Sequence, residues 1–491
     1  MAGTRVDVLT DIEAWVNDPS MPNILWLSGS PGSGKTTIAS TVVAGFEQFS
    51  GQFFFHRDQA ELRDPDNLWK SLALDLAQGS IALKKSIAQA LEAQKANIRG
   101  LDIPMQFKHL IVKPLQEVSQ RSVKPRLVVV DALDECDSYE KLLPSLQACS
   151  QLSKSLKLLV TSRHYLNIEN ALKPVSYHID LHTGDEVSDQ TTNDLWKYFA
   201  TRFLDETKLD TSALYLNWPG LEKISFLVEK AAGLFIWAKS AMDFILYKGG
   251  DSHERLEAIC SNSGEGTNAI DGLYHHITSA AFQGLREAEK SYLSSVLGSI
   301  VVARNPLCCS DLEQLLGVRD ALSTISQLSP ILSINEAGYV QICHQSVTDF
   351  LLDPQRSKAF WVDSQKHSLC LAGSCLKFMS AKLKFNFFGL KTSHIPNKAI
   401  PNLMDHIKNV KSTALDHASY FWAIYLQKYP VEILQEEIMV QMEKFLMNHL
   451  LHWLEVMSLM GAVNHAARLL LLAENWCRVS VLSKYSIMIL T

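Results

Sequence analysis

The chain alternates short, unbroken apolar runs with segments whose apolar residues recur at helical spacing. Ile24-Leu25-Trp26-Leu27 has the length and composition of a buried strand. Gln52-Phe53-Phe54-Phe55-His56, Arg126-Leu127-Val128-Val129-Val130, Lys157-Leu158-Leu159-Val160 and Ser176-Tyr177-His178-Ile179-Asp180-Leu181 repeat the pattern, which predicts five strands. Between them lie helical patterns. Val8, Leu9, Ile12, Trp15 and Val16 share one face over 6–16, and Pro19 and Pro22 end that helix. Ile38, Val42, Val43, Phe46 and Phe49 predict a helix over 37–49. Leu68, Trp69, Leu72 and Leu76 predict another, with Asp66 as its cap. The Ala-, Lys- and Gln-rich stretch 81–97 reads as an exposed helix. Apolar strands alternating with helices are the signature of an α/β fold with a parallel sheet.

Beyond residue 182 the strand pattern stops. Polar residues 183–193 mark a boundary, and 194–247 reads as helices. Ser261-Asn262-Ser263-Gly264-Glu265-Gly266 has linker composition. Residues 271–352 pair helical segments with a hairpin-like piece around Glu336-Ala337-Gly338, the order expected of a winged helix. After Pro354 the chain is helical in period and rich in Leu, Phe and Trp, with no fixed-period repeat. The expected organisation is therefore 1–182, a helical domain over 183–260, a winged helix over 268–353 and an α-helical region over 354–491.

Composition narrows the class. The 491 residues suffice for about three or four domains. With 47% hydrophobic and 20% charged residues, the chain is globular rather than disordered. A net charge of −6 without a basic stripe argues against nucleic acid as the main partner. Nine scattered cysteines form no zinc-spaced cluster, and suit reduced thiols in a cytoplasmic protein. The N-terminus lacks the apolar core of a signal peptide. The apolar run between Arg468 and Glu474 is too short to cross a bilayer, so no membrane insertion is expected.

Chemistry concentrates at two places. Gly29-Ser30-Pro31-Gly32-Ser33-Gly34-Lys35-Thr36, between the first strand and a helix, fits the phosphate-binding loop G-x-x-x-x-G-K-[ST]. Its glycines let backbone N–H groups turn toward phosphate oxygens, and the helix N-terminus adds a positive dipole. Gly29 to Thr37 would bind the phosphates, Lys35 would reach the β- and γ-phosphates, and Thr36 would ligate Mg²⁺. The second place is Val128-Val129-Val130-Asp131-Ala132-Leu133-Asp134-Glu135, an apolar strand ending in acid. A carboxylate at the carboxyl end of a parallel strand lies beside bound phosphates, so Asp131 would hold Mg²⁺ through water. Asp134 or Glu135 would orient and deprotonate the attacking water, with Glu135 favoured. Asp137-Ser138-Tyr139-Glu140 reads as a capping box for the next helix. Arg163, closing the strand after Thr161 and Ser162, would sense γ-phosphate charge. The guanine-reading N-K-x-D is absent, since Asn397-Lys398 is followed by Ala399-Ile400; adenine is expected.

These motifs, with G-L-F-I-W-A at 233–238 and H-Q-S-V-T-D-F-L at 344–351, resemble the NACHT family of signal-transducing STAND NTPases, closest to its fungal nephrocystin-like branch. The resemblance runs from Gly3 to about Trp476. It implies a RecA/ASCE-like sheet in strand order 2-3-4-1-5. It also implies a nucleotide-dependent switch, with ADP holding a closed state and ATP exchange leading to self-oligomerisation or capture of protein partners. Hydrolysis would be slow, that of a weak ATPase. Gly233 to Ala238 would line the adenine side. His344 would touch the ADP β-phosphate, although a core or capping histidine fits the same position. An effector domain before the core and repeats after it are usual in the family, and neither pattern is read between Met1 and Thr491. A nucleotide-binding scaffold with negligible turnover is the alternative.

Overall fold

Five strands form one parallel sheet: β1 (Ile24–Gly29), β2 (Phe49–Phe54), β3 (Arg126–Asp131), β4 (Leu156–Ser162) and β5 (Ser176–Leu181). Their order is β2-β3-β4-β1-β5, as expected. Thus β4 separates the strand leading into the glycine loop from the strand ending in Asp131. The computed structural model describes residues 3–490 apart from 58, 94–100, 119–124, 153–155, 210–217, 248–250, 262–268, 318, 392–394 and 429–431.

Side chains alternate between the two sheet faces, and both faces are covered. Leu25, Leu27, Leu127, Val129 and Leu159 pack with Ile12 and Trp15 of α1 (Val6–Asn17) and Ile38 and Val42 of α2 (Lys35–Gly45). Trp26, Val128, Val130, Leu158 and Val160 turn the other way. They pack with Leu68, Trp69, Leu72 and Leu76 of α3 (Leu68–Gly79) and with Phe107. Period-2 strands two layers deep in apolar contacts explain why the sequence shows continuous apolar runs rather than alternation.

One lysine sits inside this core. Lys157 of β4 is fully buried. Its Nζ donates to the carbonyls of Asp18 (2.8 Å), Met21 (3.2 Å) and Pro22 (3.3 Å), 5.2 Å above the Trp15 ring. It ties the turn after α1 to the middle of the sheet.

Four local expectations need correction. Helix α2 ends at Gly45, and Phe49 opens β2 instead of closing the helix. Asp66 does not cap α3; it lies in a 3-10 turn (Pro65–Asn67) and gives its own N–H to Asp64 Oδ1. The helix Ile81–Ala93 is not wholly exposed, since Leu83, Ser86 and Ile87 are buried; residues 94–97 lie outside the described residues. No capping box forms at Asp137–Glu140. Ser138 is left-handed (φ 57°) and its side chain makes no cap, while Asp137 pairs with Arg63 at 3.2 Å.

The molecule divides into two units, Met1–Leu273 and Tyr274–Thr491. The first holds the sheet and also the helical segment expected as a separate domain. That segment comprises α4 (Asp189–Leu209), α5 (Leu221–Ala231), α6 (Phe235–Ile245) and the helix Ser252–Ser261. Residues 262–266 of the predicted linker lie outside the described residues. In the second unit, helices Glu287–Val302, Cys309–Leu316 and Ala321–Gln327 precede an antiparallel hairpin, β6 (Leu332–Ile334) and β7 (Val340–Ile342), and then α7 (Gln345–Leu352). Helices α8 (Ser364–Lys382), α9 (Thr413–Phe421), α10 (Glu432–Leu459) and α11 (Val463–Leu490) follow, around a core that includes Trp422, Phe445 and Trp453. Among the described residues, no helix is long and apolar enough to cross a membrane.

Candidate nucleotide-binding site

The glycine loop joins β1 to α2, with Lys35 as the first helical residue. Two glycines carry its shape. Gly34 has φ 100°, a left-handed conformation that L side chains rarely adopt. At Gly29 a Cβ would lie 2.8 Å from Ser33 Oγ and 2.9 Å from Leu181 Cβ, so the loop closes against β5 only without a side chain. Ser30 Oγ lies 3.0 Å from Thr183 Oγ1, just past β5.

Lys35 folds back over the loop. Its Nζ donates to the carbonyls of Gly29 (2.7 Å) and Ser30 (3.0 Å). Burial pushes its pKa down to about 8, against the pull of Asp134. A half-buried cation resting on neutral carbonyls is suited to an incoming anion. The buried Ser33 Oγ has no hydrogen-bond partner among the described residues. Both features fit a phosphate-bearing ligand.

The acids come from β3 and the turn after it. Asp131, 1% exposed, ends the strand. Its Oδ1 accepts from Thr161 Oγ1 at 2.6 Å, and the Thr36 hydroxyl also bonds its carboxylate. Burial raises the Asp131 pKa, and the two hydroxyls oppose that rise. Thr161 in turn accepts the Ala132 N–H at 2.9 Å. Ala132 is left-handed (φ 54°), which turns the chain sharply so that Asp134 and Glu135 follow at once on a 3-10 turn. Thr36 and Asp131 therefore meet where the loop, α2 and β3 converge. Among the described residues no three His, Cys, Asp or Glu groups form a protein-only metal cage. One hydroxyl and one carboxylate suit Mg²⁺, which keeps several waters and completes its shell with phosphate oxygens.

Asp134 and Glu135 have different surroundings. Asp134 is engaged on both carboxylate oxygens by Arg163: Oδ2 lies 3.0 Å from Nε, and Oδ1 accepts the backbone N–H at 3.0 Å. Glu135 Oε2 accepts the Arg57 backbone N–H at 3.2 Å. Burial raises Glu135 to about pKa 7, with Asp134 adding to the rise and the Arg57 N–H opposing it. A carboxylate titrating near neutrality is the better general base.

The structure thus brings Lys35, Thr36, Asp131, Asp134, Glu135 and Arg163 to one end of the sheet, around the loop that Pro31, Gly32 and Ser33 complete. Thr37 is exposed on the first turn of α2. His344 is different. It belongs to the second unit and caps α7, its Nδ1 accepting the Ser346 N–H at 3.1 Å and lying 2.8 Å from Ser346 Oγ. Sequence reasoning assigned no role to Arg57, to Thr161, which orients Asp131, or to Arg5. For Thr161 the signal was a polar residue closing an apolar strand. For Arg5 it was a charge directly ahead of an apolar helix.

A phosphate loop at the end of β1 and an acid at the end of β3, with β4 between them, define a P-loop NTPase of the ATPase branch. Residues 3–163 match the family model of the nephrocystin 3 N-terminal domain. The vegetative incompatibility protein HET-E-1 of Podospora anserina is 22% identical over 93% of this chain, which spans 35% of that relative's length. A STAND protein with a tetratricopeptide repeat sensor from Pyrococcus horikoshii covers 97% of the chain at 14% identity and TM-score 0.42; the chain covers 63% of it. A Walker-type ATPase of Pyrococcus abyssi covers 70% at 13% identity and TM-score 0.34, with 94% of its own length matched. Residues 3–163 thus resemble the nephrocystin 3 N-terminal domain, and the chain as a whole is similar to NACHT/STAND proteins while carrying the sheet and loop of a P-loop NTPase fold.

Proposed function

We propose that the chain is an ATP- and ADP-binding switch that hydrolyses ATP slowly. The observation that carries this reading is the meeting of Lys35, the Thr36–Asp131 pair and Glu135 around the glycine loop. Gly29 to Thr37 wrap the phosphates, with backbone N–H groups donated by every residue of the loop except Pro31, which has none, and Lys35 trades its loop carbonyls for phosphate oxygens. Mg²⁺ held by Thr36 and, through water, Asp131 would neutralise charge on the phosphate oxygens. Glu135 takes the proton of the attacking water. Arg163 answers to the third phosphate, because that anion competes with Asp134 for its guanidinium. Binding energy that differs between ADP and ATP then shifts the balance of conformations.

By the same reading the domains are 1–182, 183–260, a winged helix over 268–353 and a helical region over 354–491, working in the cytoplasm. The ATP form recruits protein partners or further copies of the chain. His344 enters as a contact to the ADP β-phosphate; His344→Ala is then expected to weaken ADP and leave ATP unchanged.

The test is the nucleotide released from freshly purified, heat-denatured protein, followed by titration of the stripped chain with ATP and ADP. Near-stoichiometric ADP, with slow phosphate release that Glu135→Gln abolishes, is expected. ADP at about 100 times its dissociation constant would stabilise the chain by roughly 2.7 kcal/mol, seen as a raised melting temperature. Binding without turnover in either wild type or Glu135→Gln would leave a scaffold instead of a hydrolytic switch. No binding at all would end the proposal.

A further inference from the structure

Arg5 lies directly ahead of α1, 7% exposed and left-handed at φ 57°. Its attachments run in three directions. Its backbone N–H donates to Asp194 Oδ2 at 2.7 Å, and Asp194 itself is fully buried. Its Nη1 donates to Thr191 Oγ1 at 2.7 Å. Its Nη2 donates to the Ser33 carbonyl in the glycine loop at 2.8 Å. The guanidinium carbon stands 5.0 Å from the centre of the Phe235 ring. Thr191 and Asp194 belong to α4, and Phe235 opens α6.

The neighbouring loop carbonyl is held from the same side of the sequence: the Ile236 N–H at the start of α6 donates to Gly32 O at 3.1 Å. Two consecutive carbonyls of the phosphate loop are therefore fixed by the helical segment, one directly and one through Arg5. In a trans peptide the carbonyl and the following N–H point in opposite directions. Holding Ser33 O toward Arg5 aims the Gly34 N–H to the opposite side of the loop. Gly34 is the left-handed residue at the start of α2, where N–H groups gather for an anion.

We propose that Arg5 is a positioning residue that couples the nucleotide site to helices α4 and α6, by fixing the Ser33–Gly34 peptide and passing any shift of that peptide to Thr191 and Phe235. The inference rests on the reading of the loop as a nucleotide site. A planar fork that bonds two acceptors while lying over an aromatic ring is a task for arginine and not for lysine, whose ammonium is a compact point charge on a flexible stem. A contact that served stability alone would change the melting temperature without changing what nucleotide does to α6.

The full-length chain and Arg5→Lys are compared for ADP affinity and for amide hydrogen exchange over 189–199 and 235–245, with and without ADP. In the wild type, ADP is expected to slow exchange in both stretches. Arg5→Lys is expected to fold, to bind ADP about tenfold more weakly, as the loss of one charge-assisted bond implies, and to lose the exchange response over 235–245. Thr191→Val removes the Nη1 acceptor without touching the loop. It is expected to keep ADP affinity within about twofold while reducing the exchange response over 189–199. Variants that match the wild type in affinity and exchange response, whatever their melting temperature, overturn the inference alone. A wild-type chain that binds no nucleotide overturns the site reading itself, and this inference with it.

Discussion

Asp134 and Arg163 are joined twice, once through the guanidinium Nε and once through the Arg163 backbone N–H. The acid after the strand-ending Asp131 and the arginine at the end of the adjacent strand thereby hold each other. With side chains 3% and 16% exposed, the pair is shielded from bulk water, and removing one partner leaves a buried charge uncompensated. A double-mutant cycle with Asp134→Asn and Arg163→Gln is expected to give a coupling energy of about 1–3 kcal/mol in urea unfolding. Additive single effects would mean that the pair does not form in solution.

The same pair separates the roles of the two acids. Glu135 is free of that clamp and is pushed up to about pKa 7 by burial, while Lys35 is pushed down to about 8. In the proposed hydrolysis Glu135 would act deprotonated and Lys35 protonated. The kcat/KM for ATP, which reports groups of the free enzyme, is therefore expected to rise through about pH 7 and fall above about pH 8. Glu135→Gln should remove the acid limb together with most of the turnover. A wild-type profile flat across that window would assign the proton transfer elsewhere.

Lys35→Ala is expected to weaken both ATP and ADP by at least about a hundredfold, since two charge-assisted phosphate bonds of about 1.5–3 kcal/mol each are lost. Isothermal titration checks it. Affinity within a few-fold of wild type would remove the glycine loop from the binding site.

Lys157 offers a test of the core that is independent of nucleotide. Its ammonium satisfies three carbonyls after α1, so Lys157→Met leaves those acceptors without their donor. A loss of about 2–4 kcal/mol in urea unfolding is expected. An unchanged midpoint would show that water replaces the lysine freely.

In the second unit, His417 is buried with its Nε2 2.8 Å from Tyr425 Oη, and Tyr425 Oη accepts the Arg304 N–H at 3.0 Å. The hydroxyl and the imidazole share one hydrogen bond, which suits a neutral ring. Burial pushes His417 down to about 4 from an ordinary 6.5, with Asp311 opposing. A depressed folded pKa means that the unfolded chain takes up the proton first. Stability from the neutral ring is fully present above about pH 6.5 and is lost as pH falls toward 4, by about 3 kcal/mol. His417→Gln should flatten that part of the pH dependence in the unfolding of this unit. An identical slope in the variant would locate the acid sensitivity in other groups.

The five strands, their parallel arrangement and the two phosphate-site motifs were legible because buried strands must be apolar throughout and phosphate loops need glycine at fixed places. Phe49 was misread as helical because one aromatic residue fits either period. Asp66 and the Asp137–Glu140 stretch carry cap composition, yet Asp66 gives its N–H to Asp64 in a 3-10 turn and Asp137 pairs with Arg63, contacts that composition does not encode.

The sequence by itself determined which residues can carry phosphate chemistry: a glycine loop ending in Lys35 and Thr36, and a strand ending in Asp131 with two acids behind it. Tertiary structure alone decided how those acids differ. Asp134 and Glu135 are neighbours of the same chemical type, and nothing local distinguishes them. Only the packing of β4 against β3 brings Arg163 to Asp134, and only the pairing of β2 with β3 brings the Arg57 N–H to Glu135. Likewise Arg5 becomes part of the site because α1, α4 and the loop converge, across 28 residues to Ser33 and 186 to Thr191. Charge and burial at a site depend on such distant neighbours, and a one-dimensional pattern cannot state them.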